Sequence, residues 1–157
     1  MVVCAVRKIG NFLNYWLIII LWTSLIFFAS SDSNSFVHSS RIVEPILRWL
    51  FPSMPDATVN QVVFYARKGV HLTIYAILAM LFWRAIRKPV RNDRRPWSWK
   101  QAGLALLLAA IYASSDEYHQ TFVPNRDGCV RDVLIDTCGS TAGLLAVWQI
   151  GRWRKRW

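Results

Sequence analysis

A chain of 157 residues has room for one domain, and a 54% apolar content that includes nine tryptophans exceeds what a soluble domain of that size carries, so a membrane protein is the natural reading. The net charge of +10 does not point to nucleic acid, because the basic residues flank apolar runs where a nucleic-acid binder gathers them on a polar face. Cys4, Cys129 and Cys138 form no metal-type pairs, and Cys129 and Cys138, nine residues apart on one expected helix, are too far apart to bridge.

The first predicted element is a transmembrane helix over about residues 11–31, where "FLNYWLIIILWTSLIFFAS" carries no charge. Arg7 and Lys8 before it and the small residues of "FFASSDS" after it also fit a signal peptide with a cleavage site. The later apolar runs make the chain a membrane protein in either case. The segment from Asp32 to Asn60 opens polar and then places Phe36, Val37, Ile42, Val43, Ile46, Leu47 and Leu50 at roughly helical spacing. It predicts an amphipathic interfacial helix, ended by Pro52 and Pro55, that either caps the bundle or forms a lid over its outer mouth. Three further spans are expected over about 63–84, 101–120 and 130–151. The connection from Lys88 to Lys100, with Pro89, Pro96 and Trp97, reads as an interfacial loop with an aromatic anchor.

These last three spans are informative because their uncharged cores are short: Gly69–Trp83, Ala102–Ser115 and Thr137–Gly151 hold 15, 14 and 15 residues. A spanning helix needs about 20. Each ends against a block of arginines and lysines, so each can lengthen only at its other end. That extension draws in Arg67 and Lys68, then Asp116 to Gln120, then Arg131, Asp132 and Asp136. The N-terminus, the segment Arg84–Lys100 and the tail hold two, seven and four of the 19 basic residues, which makes all three cytoplasmic by the positive-inside rule. The expected architecture is therefore an all-α membrane protein: one domain over 1–157, four transmembrane helices, both termini cytoplasmic, and the amphipathic helix in the first outer loop. Eight of the nine acids, all but Asp93, then lie at the outer side or in the outer helix ends. Ionisable groups at one depth of a bilayer are costly unless they face one another, so a polar cluster is expected under the outer surface.

Helical phase puts Lys68, His71 and Tyr75 on one stripe and Asp132 and Asp136 on another. Lys68 and Arg126 are placed to neutralise Glu117, Asp132 and Asp136, unless the network only fixes helix register. "DEYHQ" lacks zinc-ligand spacing, no Ser or Cys nucleophile is paired with a base, and neither a metal nor a cofactor is expected. Gly139 and Gly143, four apart in "GSTAG", permit close helix contact.

The run "DEYHQTFVPNRDGCVRDVLIDTCGSTAG", with "KGVHLTIY" upstream, resembles the VanZ-like family of small bacterial membrane proteins, named for a teicoplanin-resistance protein. The resemblance carries over Lys68, His71, Tyr75, Asp116, Glu117, Gln120, Phe122, Pro124, Arg126, Asp132, Asp136 and Gly139. The chain departs from the family pattern at Arg67, where an acid is frequent, at Asn125, where Gly is frequent, and at Asp136, where Asn is common. Membership implies the bacterial cytoplasmic membrane, a multi-pass topology, and an envelope role connected with glycopeptide resistance.

The expected function is binding of a membrane lipid headgroup, a lipid-linked cell-wall precursor or an amphiphile in an outward-facing polar pocket. Its expected residues are Lys68, His71, Tyr75, Asp116, Glu117, Gln120, Arg126, Asp132 and Asp136. The alternative is a membrane enzyme that uses His71 or His119 with Glu117 as acid and base on a lipid-linked substrate. A scaffold whose cluster is structural is the third reading.

Overall fold

The computed structural model describes residues 2–31, 35–89, 93, 95–124, 126 and 128–157, without the side chains of 2–14 and 35–39. Five helices follow in order: α1 (Val2–Ser30), α2 (Ser35–Leu50), α3 (Asp56–Arg87), α4 (Trp99–Gln120) and α5 (Val130–Trp153). There is no strand among the described residues.

Local chemistry sets several of the ends. Pro55 precedes α3 in extended conformation, and Lys88 closes that helix in the left-handed region, its N–H donating to the Arg84 carbonyl at 2.9 Å. Ser98 caps α4 by accepting from the Gln101 N–H. α3, with 32 residues, and α5, with 24, are long and apolar enough to cross a membrane.

α3 touches all four other helices. Its buried Tyr75, Leu78, Ala79 and Phe82 meet α4 through a stripe of alanines, Ala102, Ala105, Ala109 and Ala113, whose small side chains let the helices approach closely. On α5 the corresponding device is Gly139 and Gly143. A Cβ on Gly139 would collide with the Leu72 carbonyl of α3, and one on Gly143 would lie 2.6 Å from the Ala76 carbonyl oxygen. The surface is apolar too: Phe28 of α1, Ile111 of α4 and Leu134 of α5 are more than half exposed. Apolar residues inside and outside are the pattern of helices that sit in a membrane.

The connection from α3 to α4 is tied at Arg87, which is 3% exposed. Its guanidinium reaches Asp93 at 3.2 Å and the carbonyls of Arg95 and Pro96, and it lies over the rings of Trp83 and Trp157. Trp97 stacks on Trp83 with ring centroids 5.3 Å apart, so the aromatic anchor expected at Trp97 is part of a larger tryptophan cluster.

Two helices start ahead of the expected membrane spans. α1 begins at Val2 rather than near residue 11, and α3 begins at Asp56, seven residues before the expected 63. α2 stops at Leu50, ahead of Pro52 and Pro55 as expected, and keeps Pro45 inside it. Arg48 pairs with Glu44 at 3.1 Å and with Asp56 of α3, which anchors the end of α2 to the start of α3. The expected apolar positions Phe36 and Val37 have side chains outside the description, and Asp32 and Asn125 lie outside the described residues altogether.

Candidate functional site

The C-terminal ends of α1 and α4, the middle of α3 and the start of α5 meet at a buried polar network. Asp116 of α4 is 3% exposed, and its Oδ2 accepts three hydrogen bonds: from Ser30 Oγ at 2.8 Å, Tyr75 OH at 3.0 Å and Gln120 Nε2 at 3.1 Å. Its Oδ1 has no partner among the described residues. One helical turn on, Gln120 joins three groups. Its amide nitrogen also donates to Glu117 Oε1 at 3.3 Å, and its Oε1 accepts from Arg126 Nη1 at 3.0 Å. Arg126 Nη2 donates to the Ala29 carbonyl at 3.1 Å, fastening the α4–α5 turn to the end of α1.

Glu117 is buried, and its Oε2 accepts from the Cys129 backbone N–H at 2.9 Å, where α5 begins. A carboxylate at a helix N-terminus satisfies an otherwise orphaned donor and complements the helix dipole. Gly128 makes this approach possible, since a Cβ there would collide with the Glu117 carbonyl.

On the α3–α5 side, Lys68 forms an ion pair with Asp132 in the first turn of α5, with about a quarter of each side chain exposed. One turn deeper, His71 Nδ1 stands 3.8 Å from Asp136 Oδ1, and Asp136 is 1% exposed. Asp136 Oδ2 has no partner among the described residues. Ser140, one turn further, donates to the Tyr75 carbonyl at 3.2 Å.

Two cavities open beside this network. One, of about 270 Å³, is lined by Phe64, Arg67, Lys68, His71, Gln120, Arg126 and Asp132. The other, of about 330 Å³, is walled mainly by apolar side chains: Ala29 of α1, Ile42 and Val43 of α2, and Ala66, Val70 and Ile74 of α3. Arg67, His71 and Arg126 belong to both. Each cavity is near the lower end of the range that small-molecule sites occupy, about 300–1,000 Å³.

Residues 15–151 match the VanZ/LLP1 family. The chain belongs to that family. No curated protein and no solved structure matches it. Family membership and the two apolar helices together point to a membrane protein.

In this VanZ/LLP1 chain the residues singled out by sequence fall into three groups. Lys68, His71, Gln120, Arg126 and Asp132 share one cavity wall. Tyr75, Asp116, Glu117 and Asp136 are buried behind it and support the wall through hydrogen bonds or, for Asp136, proximity to His71. His119 stands apart: its Nε2 is 3.1 Å from Ser31 Oγ and its ring packs on Phe27 at 4.5 Å between centroids. Lys68 pairs with Asp132, one of the acids expected beside it, and the Glu117 carboxylate is held by a backbone N–H and an amide. Among the described residues no three His, Cys, Asp or Glu side chains gather as metal ligands would. Cys129 and Cys138 are free thiols.

Ser30 and the apolar wall of the second cavity had escaped the sequence reading. Ser30 looks like the end of a hydrophobic run, and its hydroxyl matters only because α1 stops beside Asp116. Arg67 had a signal, a second base directly before Lys68, and it lines both cavities.

Proposed function

We propose that this VanZ/LLP1 protein crosses the bacterial cytoplasmic membrane four times with both termini inside, and that its polar cavity faces outward and binds the headgroup of an envelope amphiphile. Such binding changes access of that molecule, or of a glycopeptide that targets the wall, to the outer leaflet. The observation that carries this reading is the convergence of Lys68, His71, Gln120, Arg126 and Asp132, from two helices, the start of a third and one turn, on a single cavity. Ionisable groups at bilayer depth are costly, and a water-filled or ligand-filled cavity is where they are ordinarily found. Membership of the family supports the envelope role and a link to teicoplanin-type resistance.

The test is expression of the wild type and of Lys68→Gln and Arg126→Gln variants in a teicoplanin-susceptible bacterium, with membrane immunoblots beside susceptibility. Both side chains border the cavity, so both variants should reach the membrane and lose the phenotype. Full resistance from either variant at normal membrane levels, or no phenotype from the wild type, overturns the reading.

A second reading, acid–base catalysis on a lipid-linked substrate, is favoured by one contact: His71 lines both cavities with its Nδ1 3.8 Å from the Asp136 carboxylate, which could orient the imidazole. Chemical change in envelope lipids incubated with purified protein, lost in His71→Gln, separates catalysis from binding.

A further inference from the structure

The tail after α5 is folded into a definite shape at the end of the bundle away from the polar network. α5 gives way at Arg154 and the chain reverses. The amides of Arg154, Lys155 and Arg156 donate back to the carbonyls of Ile150, Arg152 and Gly151 at 3.0, 3.0 and 2.9 Å. Lys155 turns the corner in the left-handed region, at φ 50°, which is unfavourable for a residue with a Cβ. The reversal seats the Trp157 ring on Gly151, where a Cβ would collide with it, and Trp157 Nε1 donates to the Trp148 carbonyl at 3.2 Å. Trp97 and the Arg87 guanidinium also meet that ring, at 5.4 and 5.2 Å. We infer that this turn is a headgroup site for an anionic phospholipid, whose phosphodiester enters the open recess of about 530 Å³ lined by Arg152, Lys155, Arg156 and Trp157. A tail that only supplied positive charge beside a membrane would need neither the strained Lys155 nor the seat at Gly151. The site is independent of the polar cavity and of which leaflet this end faces.

Charge selects the ligand. The segment Arg84–Lys100 holds seven bases and one acid, Asp93, and residues 152–157 hold four bases and no acid. Asp93 is engaged by Arg87 and Arg95. The other acids among the described residues lie in α2, at the start of α3, at the end of α4 and in the first two turns of α5. By count alone, this end carries more positive charge than its own carboxylate can balance. Arginine presents a planar fork that matches phosphate oxygens in pairs, and such charge-assisted bonds are about twice as strong as neutral ones. The end of a helix ordinarily disfavours an anion because its last carbonyls are unmet. Here the tail amides occupy three of them, and Arg152 is steadied over the Trp148 ring at 5.1 Å.

Depth selects the source. Trp153 is 83% exposed and Trp99 61%, and Trp99 packs on Trp148 with ring centroids 5.7 Å apart. Exposed tryptophans of a membrane protein gather at the level of the headgroups. The phosphate that meets the recess at that level is one the bilayer carries.

The test is titration of the full-length protein in a non-ionic detergent with single ligands, read by native mass spectrometry. Dioleoyl phosphatidylglycerol should bind at least tenfold more tightly than dioleoyl phosphatidylcholine or glycerol 3-phosphate. Arg152→Gln with Arg156→Gln should weaken phosphatidylglycerol at least fivefold. Arg154→Gln with Lys100→Gln removes the same charge from exposed positions outside the recess and should change binding less than twofold. Lys155→Gln should also weaken binding, and it serves if the first double variant is not produced. Equal binding of phosphatidylcholine overturns the anionic headgroup, and equal binding of glycerol 3-phosphate replaces the lipid with a soluble phosphate. Equal losses from the two double variants, or indifference to every change in the recess, overturn the site. The same titrations with Arg126→Gln added separate a lipid in the polar cavity from one on the tail. The effects of the tail variants should persist there, and their disappearance would assign the lipid to that cavity instead.

Discussion

Asp116 accepts three hydrogen bonds on one buried oxygen, and this arrangement makes it the residue on which the site depends mechanically. Asp116→Ala would strand the Ser30, Tyr75 and Gln120 donors, and a buried donor left unmet costs about 1–3 kcal/mol. Thermal unfolding in detergent should show a large loss for Asp116→Ala and a smaller one for Asp116→Asn, whose amide oxygen still accepts. Near-equal transitions for Asp116→Ala and the wild type would mean that the network contributes nothing to stability. A second residue-scale prediction concerns Asp93, in the α3–α4 connection. The Arg95 side-chain hydrogen bond, reinforced by the Arg95 backbone N–H and the Arg87 charge, holds the Asp93 carboxyl below the usual carboxylate range. A lowered folded-state value means the stabilisation is fully present above the ordinary carboxylate pKa of about 3.9 and is lost only as pH falls through the lowered value. Tryptophan emission from the Trp83–Trp97–Trp157 cluster should therefore hold constant from neutral pH down to about 4.5. Asp93→Asn should shift that emission already at neutral pH. Sequence reading put Asp132 within reach of Lys68 but did not give the hydrogen-bond partners of Glu117, since helical phase gives the face of each side chain and not its neighbour across the interface. Nothing in the order of residues marks the Cys129 backbone N–H as the partner of Glu117.

At the scale of elements, α5 is held to α3 by the absence of side chains. Gly139 lies against the Leu72 carbonyl and Gly143 against the Ala76 carbonyl, one turn apart on both helices. Backbone atoms cannot rotate aside as a flexible side chain can, so a larger residue must push α5 away from α3 and pull Asp132 and Asp136 off Lys68 and His71. Gly139→Leu should cost on the order of 3 kcal/mol or prevent folding, read as loss of monodisperse protein after solubilisation. Recovery of Gly139→Leu with wild-type yield and thermal stability would show that the contact is looser than described. The spacing of the two glycines was legible, as were the existence and order of the helices, because apolar runs bounded by basic blocks announce themselves. The helix starts were not legible from span length alone: α1 begins ahead of the charged pair Arg7 and Lys8, and α3 begins in the polar stretch from Asp56 to Gln61. α2 ends at Leu50, just ahead of the Pro52 and Pro55 expected to end it, and Arg48 there reaches across to Asp56.

For the whole molecule, the bundle has two chemically distinct ends. Trp97 of the α3–α4 connection and the C-terminal Trp157 are in ring contact at 5.4 Å, which puts that connection and the tail at one end together with Arg84, Arg87, Lys88, Arg95, Lys100 and the bases of the tail. The polar network, where Ala29 and Ser30 meet Arg126 and Asp116, sits at the C-terminal end of α4, the other end from the Trp99 start of that helix. With 22 residues, α4 is about 33 Å long at 1.5 Å per residue, a match for a hydrocarbon core of about 30 Å. In the proposed topology, argued from the positive-inside rule, the tryptophan end faces the cytoplasm and the polar network the outside. This predicts a labelling pattern in a variant with Cys4, Cys129 and Cys138 changed to Ser. A single cysteine at Ser53, exposed in the turn between α2 and α3, should react with a membrane-impermeant maleimide in intact cells. One at Lys100, exposed in the first turn of α4, should react only after permeabilisation. The opposite pattern would put the site on the cytoplasmic side and rule out an outer-leaflet ligand. Reaction of both positions in intact cells would mean that α3 does not separate them across the bilayer, and the four-span topology would fall with it.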